Sequence, residues 1–302
     1  MRSACTIACL TGAGTAPELM AEAVYALEAV GRMHGVAIDQ VHAPFGGVAV
    51  TQTGQAVPPA TREAVLGADA VLIAGADEPA LAEVMAELDL RARVTRVRFG
   101  RGDAVFFTAI SESTAEWAVS RAFRDAEART LRLTCVGDAG WCELVELASV
   151  RHEHVRVEHV SPRDAIPFAA FDPARFDVVA VAPRWAEAVV EVAAAAAPHR
   201  VSATALLADS GPSLFVPSPD GGFALAGHGV VDPSSMLLAA ALALEHGIGQ
   251  RSAAQTLAAA VSAVLVETPE TPRLLRRIST THEFTQRVLS SLQLTMRNAE
   301  FA

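Results

Sequence analysis

Ala70-Val71-Leu72-Ile73-Ala74 is a run without a polar side chain, closed by Gly75. Successive strand residues point to opposite faces, so a run that is apolar at every position leaves no face for water. Such a strand belongs inside a sheet covered on both sides, the usual setting of parallel strands. Residues 4–10 (ACTIACL) and the run Phe176-Asp177-Val178-Val179-Ala180-Val181-Ala182 read in the same way. Helix-like segments lie between them. One runs from about Pro17 to His34, with Pro17 in the first turn, where its missing N–H costs nothing, and Glu18 complementing the dipole. Others start at Pro58, span roughly Ser113 to Ala128 and Trp185 to Ala197, and close the chain at about Pro233–Glu245, Ser252–Glu267 and Thr281–Leu292. Buried strands alternating with helices predict an α/β fold.

The remaining segments read as follows. Residues 36–42, 131–136 and 155–159 are strand-like, Phe45-Gly46-Gly47 is a turn, and residues 201–232 are loop-rich in Gly, Pro, Ser and Asp. Residues 91–107 carry Arg91, Arg93, Arg96, Arg98 and Arg101 among strand-like neighbours. An arginine cluster can hold a carboxylate or phosphate bidentately. An exposed strand alternating Arg with Val reads the same way in sequence.

Across 302 residues, 51% of them hydrophobic, the net charge is −10. This opposes a nucleic-acid partner, which needs a positive surface. The apolar runs are broken by Gly, Pro or charge before reaching membrane-spanning length, and MRSACTIACLTGAG lacks an h-region followed by a cleavage site. The expectation is a cytoplasmic protein. Cys5, Cys9, Cys135 and Cys142 show no zinc-ligand spacing and read as reduced and buried. All 24 Lys+Arg positions are arginine, and Tyr25 is the single tyrosine. The bias toward arginine reads as genome composition, but no lysine base and no Schiff-base lysine can exist in this chain.

Four segments, in order, resemble the β-decarboxylating dehydrogenases of the isopropylmalate and isocitrate dehydrogenase kind. The first is Ile7 to Glu18, similar to that family's opening strand and Gly-Asp-Gly-Ile-Gly-Pro-Glu turn. The second is Phe45-Gly46-Gly47-Val48-Ala49, Thr53 to Pro58 and Ala68 to Gly75. The third runs from Phe215 to Leu244, similar to the cofactor loop and its following helix. The fourth is Thr281-His282-Glu283-Phe284-Thr285. The resemblance implies two intertwined α/β subdomains around a largely continuous mixed sheet. Residues 1–90 with 201–302 would form the cofactor-side subdomain, and 91–200 the dimerisation and metal/substrate side.

The resemblance also implies site residues, and there this chain departs from the pattern. Asp138, in Val136-Gly137-Asp138-Ala139-Gly140, stands where the family's run carries the lysine that assists proton transfer across a dimer interface. The stretch holding the family's tyrosine is shortened, and Tyr25 belongs to the first helix. Arg96 best matches a substrate arginine, with Arg93 and Arg98 beside it. Glu187 and Glu191 occupy the places of two metal-binding aspartates. Their i, i+4 spacing puts both on one helix face. With Asp164 as a third oxygen donor, offset by one position where Arg163 stands, they could hold Mg²⁺ or Mn²⁺. A solvated acidic helix face is the other reading. Gly12, Gly14, Glu18 and Asp232 match cofactor-side positions. Within Pro219 to Pro233, however, Ala224 replaces the ribose-binding aspartate, Pro219 the leading histidine and Asp232 the adenine-binding asparagine. Each lost hydrogen bond costs roughly 0.5–1.5 kcal/mol, so NAD binding is expected to be weak or lost.

These departures predict a catalytically degenerate member: a pseudoenzyme, a partner subunit or a binder of a small acid. The alternatives are a repurposed enzyme acting on a small carboxylic acid without NAD, for example by metal-assisted lyase, decarboxylase or isomerase chemistry, and a divergent NAD(P)-dependent 2-hydroxy acid dehydrogenase. In the repurposed case His228, in the changed loop, could serve as an acid or base. A homodimer is implied, or a heterodimer with an active relative, with the interface near 141–170 and the helix Trp185–Ala197.

Overall fold

A computed structural model describes residues 4–75, 77–99, 102–197, 201–218, 223–267 and 280–300. Its contacts divide the chain into two compact units, Met1–Asp89 with Ser210–Ala302, and Leu90–Asp209.

The first unit opens with β1 (Cys5–Thr11), α1 (Ala16–His34), β2 (Ile38–Pro44), α2 (Gly47–Thr53), α3 (Pro59–Leu66), β3 (Ala70–Ala74) and α4 (Glu78–Ala86). The apolar run Ala70–Ala74 is β3, buried at every position. It pairs in parallel with β1, and β1 in parallel with β2. Pro17 does stand in the first turn of α1, and Gly35 closes that helix at φ 65°. The amides of Gly35 and Val36 return to the carbonyls of Arg32 and Gly31, the paired bonds that a left-handed C-terminal residue permits. The buried stripe of α1 includes Leu19, Met20, Ala23, Leu27 and Val30, at helical spacing.

The second unit holds β4 (Leu90–Phe99), β5 (Gly102–Ala109), α5 (Ala115–Glu127), β6 (Arg132–Val136), α6 (Ala139–Ser149), β7 (Arg156–Val160), α7 (Pro162–Phe171), β8 (Val178–Val181), α8 (Pro183–Ala196) and β9 (Ser202–Ala208). Its strand order is β9-β4-β5-β8-β6-β7. β4 runs antiparallel to both β9 and β5, and the other pairings are parallel. Val97, Phe99, Ala104 and Phe106 join Ala165, Ala169, Val189 and Ala193 in one core, so α7 and α8 cover that face.

The chain then returns to the first unit with β10 (Ser213–Pro217), α9 (Ser234–Leu242), α10 (Arg251–Glu267) and α11 (Thr281–Glu300). β10 pairs in parallel with β3. α9 is buried from Met236 to Leu242, and α1 and α10 pack against it, which is why its sequence is apolar all round.

Several segments depart from the sequence reading. Residues 201–232 hold β9 and β10 where loop was expected. Ser, Ala and Pro are weak strand formers, but β9 is paired along its length with β4, and pairing overrides propensity. Gly47, read as a turn residue, begins α2. The helices α4, α6 and α7 were not foreseen. Capping side chains start all three, with Asp77, Asp138 and Ser161 accepting from Ala80, Trp141 and Asp164 amides. Pro219 to Gly222 of the expected cofactor loop, and Arg101, lie outside the described residues. No helix among the described residues is long and apolar enough to cross a membrane.

Candidate functional site

At the carboxyl ends of β1 and β3, where parallel sheets present their ligands, the Gly12–Gly14 turn is built against backbone. The Gly12 amide donates to the Ala74 carbonyl at 2.9 Å, and a Cβ on Gly12 would come to 3.1 Å from that oxygen. Gly14 has φ 71°, and a Cβ there would meet the Phe223 ring at 2.9 Å. The Glu18 carboxylate accepts from the Gly229 amide at 3.0 Å and from the Gly227 amide, so both loop donors are already satisfied within the protein. Asp232 accepts from the Ser234 amide at 2.9 Å and the Ser234 hydroxyl at 2.6 Å, and so holds the start of α9. Ala224 and His228 are exposed. Tyr25 lies on α1, its ring 6.0 Å from that of His282.

In the second unit the arginines of β4 divide by strand alternation. Arg96 and Arg98 are buried on one face, while Arg93 is exposed on the other. Arg96 and Arg98 face inward onto charge. Arg96 Nε is 3.1 Å from Asp103, and Arg98 lies directly opposite Asp103 in the β4–β5 register. Arg129, just after α5, donates to Asp103 at 2.9 Å and to Asp177 at 2.7 Å, and the Thr130 hydroxyl also donates to Asp177. Burial pulls the Arg98 pKa down, with Arg96 and Arg129 adding to the effect and Asp103 opposing it. For Asp103, burial pushes the carboxyl up, but Arg96, Arg129 and Arg98 outweigh it and hold it below the usual carboxylate range. Two arginines expected to face a substrate therefore belong to an internal ion network. The acidic half of that network was missed in the sequence, although a hairpin reading places Asp103 opposite Arg98.

Asp138 is the N-cap of α6, accepting from the Trp141 amide at 3.2 Å, with Arg184 3.9 Å away. Glu187 and Glu191 are exposed on α8. Asp164 accepts from the Ser161 hydroxyl at 2.7 Å at the start of α7. These three carboxylates do not form one of the groups whose ligand atoms converge among the described residues. Cys135, Cys142 and His159 do converge, with all their ligand atoms within 4.8 Å of one another. In the sequence these cysteines show no zinc-ligand spacing and read as reduced and buried, because only the fold brings the end of β6 and the first turn of α6 to the side of β7.

The chain matches the family model for isocitrate/isopropylmalate dehydrogenase over residues 6–96 and 201–288. Among curated proteins it is 28% identical over 321 residues to a 3-isopropylmalate dehydrogenase from Synechococcus sp., covering 85% of this chain and 89% of that one. It is 26% identical over 342 residues to one from Bacillus cereus, covering 95% and 96%. Among solved structures, a β-decarboxylating dehydrogenase from Thermococcus kodakarensis in its apo form matches with a TM-score of 0.83 and 20% identity over 98% of each chain. An isocitrate dehydrogenase from Methylococcus capsulatus matches with a TM-score of 0.78 and 19% identity over 96% of this chain and 99% of that one.

Proposed function

Because the chain belongs to the isocitrate/isopropylmalate dehydrogenase family, we propose that it is a member that keeps the scaffold and has given up NAD-dependent oxidative decarboxylation. Asp138 carries this reading. It occupies the place of the lysine in the family's run, and its carboxylate is spent on the N-terminus of α6. No lysine elsewhere in the chain can take over. The same pattern recurs at the other sites. Arg96 is turned to Asp103, Asp232 to Ser234 and Glu18 to the loop amides. Groups that would meet ligands hold the protein together instead.

The residues do not fit the two groups that the family implies. Among the described residues, the Gly227 and Gly229 amides are given to Glu18 and Ala224 stands at the ribose position, so these polar partners are missing for a nicotinamide cofactor. Glu187, Glu191 and Asp164 do not converge on a common point for a divalent ion. No chemical step is therefore assigned to either group. The protein works in this reading as a non-oxidising subunit or small-acid binder in the cytoplasm, in keeping with four free cysteines. It pairs with itself or with an active relative. Leu147 on α6, Val150 just after it and Phe171 on α7, exposed at 66%, 69% and 90%, supply apolar surface that such a partner would cover.

The test is an NAD(P)-reduction assay of the purified chain with 3-isopropylmalate and with isocitrate, in the presence of Mg²⁺ or Mn²⁺. Its relatives are named for the first of these activities, so the rival reading is explicit. The expected result is no reduced nicotinamide above background. Turnover with either acid overturns the proposal. Stabilisation by a small di- or tricarboxylate in the same mixtures, without reduction, identifies the binding role.

A further inference from the structure

Cys135 and His159 are register partners on the neighbouring parallel strands β6 and β7, so their side chains leave the sheet on the same face. Cys142 and Glu146 are four residues apart on α6, and therefore share one face of that helix. The two pairs meet. Cys135 Sγ is 3.7 Å from Cys142 Sγ, and His159 Nε2 and Glu146 Oε1 are in hydrogen-bond contact. Cys135 is buried, Cys142 half-buried and His159 open to solvent, so an ion has a way in.

We infer that Cys135, Cys142 and His159 form a three-ligand zinc site, its fourth position left to water, that ties α6 to the β6–β7 edge, with the Glu146 carboxylate hydrogen-bonded to the imidazole. Two sulfurs bound to tetrahedral zinc at about 2.3 Å are about 3.8 Å apart, so the observed sulfur separation needs almost no adjustment. Two thiols in simple contact stand at a similar distance. What marks a site is the third ligand, an imidazole that a neighbouring strand brings within 4.8 Å of both sulfurs, with a carboxylate from the next turn of α6 hydrogen-bonded to it. Thiolate and imidazole together suit zinc over magnesium or calcium, which take oxygen. A disulfide would use only the sulfurs and would leave the convergence of His159 on them without a role. Both cysteines must ionise to bind, so loading releases about two protons to the buffer while the histidine binds in its neutral form. Its ligands are none of the residues assigned above to the family's chemistry, although the Cys142 amide donates to the Asp138 carbonyl at 2.9 Å, and its role is structural: the edge strand β7 gains a clip.

The experiment is a titration of the full chain, purified metal-free under a phosphine reductant, with Co²⁺ as the probe and Zn²⁺ as competitor. Expected are one ion per chain, an intense thiolate-to-cobalt charge-transfer band, visible bands of tetrahedral strength, release of about two protons and a higher Tm with Zn²⁺. Cys142→Ser abolishes the charge-transfer intensity of one thiolate, and His159→Gln weakens Zn²⁺ binding roughly 100-fold or more. Cys5→Ser, in the other unit, changes neither. His159→Gln sits at a solvent-exposed position and keeps the chain folded, so loss of binding there is not loss of fold. Absence of the band, or binding that survives both Cys142→Ser and His159→Gln, overturns the inference. Conversion of the two cysteines to a disulfide in air, with no metal uptake by the reduced protein, overturns it equally.

Discussion

Arg96 Nε stands 3.1 Å from Asp103 Oδ2, and the two side chains are only 5% and 17% exposed. Asp103 also receives Arg129 and faces Arg98 across the hairpin. One carboxylate thus balances three guanidinium groups, with Asp177 sharing the load of Arg129. Removing one partner from a buried ion pair costs roughly 3–5 kcal/mol, since the remaining charges stay buried. Asp103→Asn is expected to lose stability on that scale in urea denaturation. The pH dependence has a definite sign. Burial raises the Asp103 pKa, but the three arginines lower it further, so its folded pKa lies below the ordinary one. Its stabilisation is complete above the unfolded value of about 3.9 and is lost as pH falls through the folded value. Wild-type stability should therefore decline more steeply than that of Asp103→Asn below about pH 4.

Asp138 offers a clean separation of structural from catalytic roles. An Asp-to-Ala change at an N-cap costs about 1 kcal/mol, while Ser or Asn retains most of the cap. Asp138→Ala should lower the urea midpoint, and Asp138→Asn should sit close to wild type. Asp138→Lys, which reinstates the family's residue type, should be the least stable of the three, because it sets a cation at a positive helix end beside Arg184. It should show no NAD reduction, since the loop contacts are also absent. Nicotinamide absorbance and urea melts on the same preparations check both statements.

If α6 and α7 carry the subunit contact, Leu147 and Phe171 lie in it. Both are large, apolar and exposed at 66% and 90% in the single chain. Leu147→Glu with Phe171→Glu places charge in that contact, which no partner surface built for apolar groups accepts without cost. Light scattering should report a dimer for wild type and a monomer for the double variant, with unchanged far-ultraviolet circular dichroism. A monomeric wild type at micromolar concentration removes the homodimer from the proposal.

The fold was largely legible because buried parallel strands write themselves as unbroken apolar runs. β1, β3 and β8 fall where Ile7, Leu72 and Val179 put them, and α1 ends where Gly35 permits a left-handed turn. β9 was not legible, since Ser202, Ala203, Ala205 and Ala208 have little strand preference and acquire strand structure from pairing with β4. α7 was hidden by Pro167, which lies inside the helix. The site was less legible than the fold for a reason of direction. Alternation along β4 puts Arg93 on one face and Arg96 and Arg98 on the other, but it does not say which face meets a ligand. Asp103 settles that for Arg96, and its importance depends on hairpin register. Cys135 and His159 are likewise joined only by the β6–β7 register, which a reading of one strand at a time does not contain.

Glu18 links the first turn of α1 to the loop before α9 through two amide donors. Hydrogen bonds to a charged group contribute about 1.5–3 kcal/mol each when well formed, and partial exposure reduces this. Glu18→Ala should therefore cost the loop about 1–3 kcal/mol of local stability. Locally, amide exchange at Gly227 and Gly229 should rise by at least about tenfold, while exchange in β6 and β8 stays as in wild type. Unchanged exchange at those two amides would show that the loop is held by other contacts, such as the Thr281 amide on the Gly229 carbonyl at 2.8 Å.

Gly14 combines two independent demands for glycine, and they can be separated. Its φ of 71° is a left-handed conformation, and a Cβ there would sit 2.9 Å from the Phe223 ring. The backbone demand alone costs a non-glycine residue about 1–2 kcal/mol. The steric demand adds to it only while the ring is present. Phe223 is 71% exposed, so its ring can turn away at the cost of its packing on the turn. Gly14→Ala should therefore lose more than the backbone cost alone. In a Phe223→Ala background the same change should lose only the backbone part. The difference is the coupling energy of a double-mutant cycle, expected at about 0.5–1.5 kcal/mol for neighbours in contact. A coupling of zero would mean that the ring does not pack on the turn in solution, and that the Gly12–Gly14 turn is open to a ligand from that side.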